Sequence, residues 1–337
     1  MYMQPDLTSL ICATMPWDTM EWSMYLLITV ILFAAELAYL PIAKRLRVGD
    51  GVTPRSSHKS YHITGGGFIF WFAAIIFDII FKTQLPAEFH LMLIGATLLA
   101  IVSFTDDMID LSPGLRLLVQ TIVVAVTFHG FFINGHYDIF LLTLICGVGF
   151  INAFNFMDGI NGLMSVYSLV TLGTLLYCYS LLPPVSCAPK PFIITLILSV
   201  AVFTVFNFRN NAICFAGDVG SIVMGFFITY LMVQLISFTA DASYVVFLIV
   251  YAVDAVYTIF QRLFMGENIL MPHRHHLYQI IANKWGKPHR AIAIAYAGIQ
   301  LAINIIYFII PESQKWTYAI ILLAMLTAAY FVLKRRH

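Results

Sequence analysis

Apolar residues come in long runs broken by short polar stretches, and that alternation sets the predicted elements. A helix needs about 20 mostly apolar residues to cross a bilayer, within a range of roughly 17–25. By that measure there are about eleven segments, near 22–42, 65–81, 89–105, 115–133, 139–156, 160–181, 191–207, 219–238, 243–263, 291–310 and 316–333. The second, third, fifth and seventh are short. No internal repeat, low-complexity tract or soluble domain interrupts them. Residues 1–337 therefore read as one membrane-embedded domain, an all-α polytopic helix bundle.

The cations orient it. With the N-terminus outside, 15 of the 18 Lys and Arg fall on one side of the membrane, and only Lys82, Lys190 and Lys315 on the other. Positive residues mark cytoplasmic loops, so the C-terminus is predicted to be cytoplasmic. The same threading puts the polar stretches 44–64, 103–115, 152–161, 208–218 and 264–290 on the cytoplasmic side. One-sided polar loops suit an enzyme with a soluble cytoplasmic substrate. An ion-coupled transporter, the rival from another class, is expected to carry its polar groups at midplane; in its favour are the many spans and intramembrane acids such as Glu36, Asp78 and Asp254.

Composition agrees. Hydrophobic residues make up 61% of the chain, against about 45–50% in soluble domains. A net charge of +1 without a basic run leaves no footprint for nucleic acid. Cys12, Cys146, Cys178, Cys187 and Cys214 are odd in number and irregular in spacing, which argues for free thiols, with Cys178–Cys187 the one conceivable pair. No Lys or Arg precedes Lys44, so residues 1–21 lack the basic start of a signal peptide and Trp22–Leu40 reads as an uncleaved span.

With charged residues at only 10%, the run Ser103-Phe-Thr-Asp-Asp-Met-Ile-Asp-Leu-Ser-Pro-Gly-Leu-Arg116 stands out. Asp106, Asp107 and Asp110 sit at the mouth of two apolar segments and need a cation, water or a metal, because unpaired burial is prohibitive. On a helix Asp106 and Asp110 share a face, and Pro113-Gly114 turns the chain. A second constellation, Asn152-Ala-Phe-Asn155-Phe-Met-Asp158-Gly-Ile-Asn161-Gly, repeats polar groups every three residues along one helix edge, with Gly159 and Gly162 open to close ligand approach. Its oxygens are hard metal ligands and nucleotide partners. In a third, Gly217-Asp218-Val-Gly220-Ser221, Asp218 opens a span, as a cap or as a metal carboxylate beside a phosphate.

Two basic groups complete the set. Arg55, His58 and Lys59 precede the triple glycine 65–67. Pro272-His273-Arg274-His275-His276-Leu-Tyr278-Gln279 offers three histidines, yet zinc normally recruits partners from elsewhere, and donors facing a pyrophosphate fit better. Leu277, Ile280, Ile281 and Trp285 then trace an interfacial helix ending at Gly286. Upstream, Asp254, Thr258 and Arg262 share an inward helix face. Together these acids and bases describe a magnesium-dependent phosphoryl-transfer site on a membrane face.

From Asp50 to Gln279 the chain resembles the polyprenyl-phosphate N-acetylhexosamine-1-phosphate transferases, glycosyltransferase family 4, which include the phospho-MurNAc-pentapeptide translocase. The resemblance rests on Asp106-Asp-x-x-Asp-Leu-Ser-Pro-x-x-Arg-Leu-x-x-Gln120, on Asn152-Ala-Phe-Asn-Phe-Met-Asp-Gly159, on Gly217-Asp-x-Gly-Ser221 and on His273-Arg-x-His-Leu-Tyr-Gln279, in the family's order. The last is similar to the O-antigen and capsule branch. The resemblance implies transfer of a sugar-1-phosphate from a UDP-N-acetylhexosamine, UDP-GlcNAc or a relative, to undecaprenyl phosphate, with release of UMP. It implies Mg2+ (or Mn2+) at Asp218 and Asn155, and catalytic roles for Asp106 and Asp107. It implies substrate contacts from Asn152, Asp158, Arg55, His58, His273, Arg274, His275 and His276. A bacterial cytoplasmic membrane location, and an assembly of one or two copies, go with it. The departures are Asn161 for a second Asp, Tyr61, Ile63 and Thr64 for a Pro-rich basic pattern, and His275 for a small polar residue. The peptidoglycan translocase is the alternative within the family, and a scaffold without activity has only Asn161 in its favour.

Overall fold

The computed structural model describes residues 21–50, 62–81, 85–132, 137–182, 190–269, 271 and 273–335. Its helices are α1 (Trp22–Leu46), α2 (Phe68–Phe81), α3 (Ala87–Ile109), α4 (Pro113–His129), α5 (Tyr137–Phe156), α6 (Leu163–Leu181), α7 (Lys190–Asn207), α8 (Gly217–Thr239), α9 (Ile249–Phe264), α10 (Leu277–Asn283), α11 (His289–Ile309) and α12 (Lys315–Arg335). Each predicted apolar segment falls on one of them, and only the short α10 is additional. Nine of the described helical stretches are long and apolar enough to cross a membrane, Ala242–Phe264 among them, while α2 and α4 are shorter apolar helices. The all-α reading needs one small amendment: Gly49–Asp50 (β1) and His62–Ile63 (β2) pair antiparallel.

The bundle is organised around α8, which is buried almost throughout and packs against α3 and α5. Small residues admit this closeness. A Cβ on Gly67 would come 2.2 Å from the Gly220 Cα, so α2 and α8 start backbone against backbone. At the other extreme, α12 buries only Leu322 and Tyr330, as a helix on the lipid-facing rim does.

Backbone polar groups need partners wherever water is absent. A 3-10 stretch, Ala242–Leu248, precedes α9 and breaks its ladder. Gln300 of α11 repairs the break: its Nε2 donates to the Val246 carbonyl at 3.0 Å and its Oε1 accepts from Val250 N at 3.2 Å. The same Oε1 accepts from the Tyr167 hydroxyl at 2.6 Å, and the Tyr167 ring stacks on Tyr251 at 3.6 Å between centroids. Cys178 is a free, buried thiol; Cys187 lies outside the described residues.

Three sequence expectations are corrected here. α3 stops at Ile109, and Asp110 takes a left-handed conformation (φ 48°) as its cap. Asp110 is therefore exposed and does not share a face with Asp106. The cause is Ser112, whose extended backbone and side chain cap α4, with Pro113 inside its first turn. The turn is thus 110–112, and Pro113-Gly114 begins the next helix. Lastly, α10 buries Leu277, Tyr278 and Ile280 and packs Leu277 and Tyr278 into the main core, so it is not an interfacial helix.

Candidate active site

One end of the bundle gathers the C-termini of α3 and α5 with the N-termini of α4 and α8. Asp107, on the last turn of α3, accepts from the backbone N–H groups of Asp218 at 3.0 Å and Val219 at 3.3 Å. Its carboxylate thus caps α8, where free N–H groups and the helix dipole favour negative charge. Gly217 makes this contact possible. It adopts φ +71°, and a Cβ there would lie 2.6 Å from Asp107 Oδ2 and 2.8 Å from Thr64 Oγ1.

Asp106 and Asp218 share a cation. Arg116 Nη1 donates to Asp218 Oδ2 at 2.8 Å and makes a short contact with Asp106 Oδ2. Asp106 Oδ1 also accepts from Leu111 N at 2.6 Å, which ties the turn to the carboxylate. Arg116 was quoted within its motif but given no role. Its signal was in the sequence all the same: it is the sole Lys or Arg between Lys82 and Lys190.

From α5, Asn155 reaches Asp218 as a hydrogen-bond partner. Asn152 points toward α4 instead, with Nδ2 donating to Gln120 Oε1 at 2.6 Å. Asp158 lies past the helix end. Burial, then the charges of Asp218 and Asp107, push its carboxyl well above the usual carboxylate range. The polar groups of 152–161 do not stack along one edge, because α5 ends at Phe156. Asn161 turns to the 208–213 loop, where Nδ2 donates to the carbonyls of Arg209 at 2.8 Å and Asn210 at 3.1 Å. An aspartate could not donate these bonds. Gly159 and Gly162 serve packing rather than a ligand: added Cβ atoms would lie 2.2 Å from the Tyr278 hydroxyl and from Phe208.

The polar face of α9 anchors the described residues between α9 and α10. Asp254, Thr258 and Arg262 are all buried, as their shared face predicted. Arg262 Nη2 donates to the carbonyls of Asn268 at 2.6 Å and Met271 at 2.9 Å, and Nε pairs with Glu267 at 2.9 Å. Asp254 caps α10, accepting from Leu277 N at 2.9 Å and Tyr278 N at 3.3 Å. It also lies 3.4 Å from His276 Nδ1. The Tyr278 hydroxyl then donates to the Phe156 carbonyl at 2.7 Å, which docks the block on α5.

In that block the His273 ring stacks with His275 at 5.8 Å between centroids and lies tilted against His276 at 4.8 Å. Phe156 lies against both His273 and His276, at 6.0 and 5.9 Å. Burial and the neighbouring charges of His276, Arg262 and His275 hold the His273 imidazole down to about 3. Arg274 Nη2 and His276 Nε2 are buried without a hydrogen-bond partner among the described residues. Buried donors left unpaired are costly, and an anionic ligand would satisfy them. Arg55 and His58 lie outside the described residues.

Among the described residues no three His, Cys, Asp or Glu side chains converge as a ready-made metal cage. Magnesium takes one or two carboxylates and fills its shell with water and substrate phosphate, so it needs no such cage. Asp218, with Asn155 beside it and Asp107 and Asp158 within electrostatic reach, is a donor set of that kind.

A sequence model of glycosyl transferase family 4 matches residues 89–236, the stretch holding Asp106, Asn152 and Asp218. The chain is 26% identical over 330 residues to an undecaprenyl-phosphate alpha-N-acetylglucosaminyl 1-phosphate transferase of Yersinia pestis, covering 90% of each chain. It is 22% identical over 312 residues to a probable undecaprenyl-phosphate N-acetylglucosaminyl 1-phosphate transferase of Bacillus subtilis, covering 85% of each. To a phospho-N-acetylmuramoyl-pentapeptide-transferase of Latilactobacillus sakei it is 29% identical over 230 residues, 59% of this chain and 69% of that one.

Proposed function

We propose that this chain belongs to glycosyl transferase family 4 and joins a sugar-1-phosphate to undecaprenyl phosphate. The donor is a UDP-N-acetylhexosamine. A phosphate oxygen of the lipid bonds to the phosphorus that carries the sugar, the bridging P–O bond breaks, and UMP leaves with the bridging oxygen. The observation that carries this reading is the meeting of Asp106, Asp107, Arg116, Asn155 and Asp218, from four helices, at one end of the bundle.

Phosphoryl transfer asks for positioning and charge neutralisation more than for covalent help. Asp218 and Asn155 would hold Mg2+ (or Mn2+), which when bound neutralises charge on the phosphates. Arg116 orders Asp106 and Asp218. Asp107 is engaged with two N–H groups and Asp106 with a guanidinium and an N–H, which favours an organising role over attack on phosphorus. The lipid phosphate is already anionic at neutral pH and supplies its own nucleophile. Direct displacement follows, with Asp106 and Asp107 organising the centre.

The unpaired nitrogens of Arg274 and His276 suit the donor's phosphates, and His273, His275 and Asp158 would bind the nucleotide, with Asn152 joining them on release from Gln120. Arg55 and His58, which precede the triple glycine in sequence, would add positive charge. The distribution of 15 cations against 3 supports a site at the cytoplasmic face of a bacterial inner membrane.

The test is UMP release by purified protein with undecaprenyl phosphate, Mg2+ and a panel of UDP-N-acetyl sugars. Lipid-dependent UMP from one donor establishes the reaction and identifies the sugar. Its absence for every donor, with folded protein, refutes the reading for that panel. The Latilactobacillus relative supports a second reading, the peptidoglycan reaction. A requirement for a peptide on the donor separates the two.

A further inference from the structure

Glu36 lies on α1 and takes no part in the roles assigned above. It is fully buried, and an acid on a membrane-spanning helix is a functional position by default. Its Oε1 accepts from Cys214 Sγ at 3.1 Å. Its Oε2 is buried without a hydrogen-bond partner among the described residues. The pair occupies the space a side chain at residue 66 would take: a Cβ on Gly66 would lie 2.8 Å from both Glu36 Oε1 and Cys214 Sγ.

The backbone that Glu36 touches carries Asp218. Ile63 bridges to Cys214. Phe215 N donates to Ile63 O at 2.8 Å, Gly66 N to Phe215 O at 2.9 Å and Gly67 N to Ala216 O at 3.0 Å. One turn along α1, the Tyr39 hydroxyl donates to the Thr64 carbonyl at 2.6 Å. Helix α1 therefore grips both sides of this seam, Tyr39 on residues 62–67 and Glu36 on residues 214–217. The seam ends at Gly217, against Thr64 and Asp107, with Asp218 next in the chain.

We propose that Glu36 is a positioning residue of the phosphotransfer centre. Its carboxyl, wedged between Cys214 and Gly66, fixes the seam that sets Asp218 and the N–H groups under Asp107. The proposal rests on the transferase reading of the site. It gives α1, a peripheral helix, a direct part in catalytic geometry without contact to either substrate.

The experiment compares Glu36→Ala, Glu36→Gln and Leu32→Ala, the last a packing-only change on the same buried face of α1, in the full-length protein. Glu36→Ala is expected to lower kcat roughly 10- to 100-fold, as a misplaced group does, with KM for the UDP-sugar within about twofold. Glu36→Gln keeps the acceptor at Oε1 and is expected to retain most of the turnover. Leu32→Ala is expected to lose thermal stability while keeping kcat. Wild-type kcat in Glu36→Ala, equal inactivity of the two Glu36 variants, or a parallel loss in Leu32→Ala would each overturn the proposal. A wild-type protein that releases no UMP sinks the transferase reading instead. Peptide-resolved thiol labelling then decides about Glu36: Cys214 becomes reactive in Glu36→Ala and stays protected in Leu32→Ala if the seam depends on the carboxyl, and stays protected in both if it does not.

Discussion

Arg116 holds Asp106, 10 residues before it, together with Asp218, 102 residues after it. Its guanidinium meets two carboxylates at once, which an ammonium does poorly. Arg116→Ala is expected to lower kcat about 10²- to 10³-fold, the size of loss seen when a preorganised electrostatic group is removed, with Arg116→Lys between the two. Asp218→Ala is expected to abolish turnover and its Mg2+ dependence in protein that still inserts; near-wild-type rates would remove Asp218 from the metal. His273 gives a pH signature. An unfolded chain takes up that proton near 6.5, whereas the folded one keeps the ring neutral down to about 3. Between those values the unfolded state binds more protons, so the contribution is complete above about 6.5 and fades as pH falls. In thermal melts from pH 7 to 5, wild type should lose stability relative to His273→Asn as pH falls, and an unchanged difference between the two would remove this contribution. These residues differed in legibility. Asp106, Asp107 and Asp218 stood out as acids in an apolar chain, but Arg116 looked like one more inside cation, and Asn161 looked like a lost acid when its amide is in fact an irreplaceable donor.

At the level of elements, the ends of helices carry the chemistry and the turns between them decide which side chains enter. Local signals placed α4: Ser112 and Pro113 mark its start. The same signals, read a little further, would have expelled Asp110 from the acidic trio, since a chain that must be extended at Ser112 leaves its helix early. What no local pattern contained was the docking of Asp107 on α8, because the two partners are 111 residues apart. The junction is narrow. Gly217→Ala must place a Cβ in a left-handed conformation, at about 1–2 kcal/mol, and against Asp107 as well. Lower stability together with a kcat loss larger than that strain accounts for is the expected result, and unchanged kcat would mean that Asp107 needs no such seat. The α9 face was read correctly as inward, though its purpose, to hold the loop through Arg262 and Asp254, emerges only with the partners in place.

Across the whole molecule, the bundle was legible because hydrophobic length is a strong signal in a membrane chain. The packing order was not, since apolar helices carry little information about their neighbours. α8 and α12 are similarly apolar, yet one is the core and the other the rim. The expected orientation makes a plain prediction. In sealed right-side-out vesicles, added UDP-sugar should yield no UMP, and inverted vesicles should be active; equal rates in both would reverse the topology or remove the sidedness. Synthesis adds a demand of its own. Asp107 enters the membrane region 111 residues ahead of the N–H group that seats it. At about 5–20 residues per second the growing chain carries that carboxylate unseated for roughly 6–22 s. The half-made protein must therefore park an acid at the bilayer edge, in reach of water, until the ribosome delivers α8.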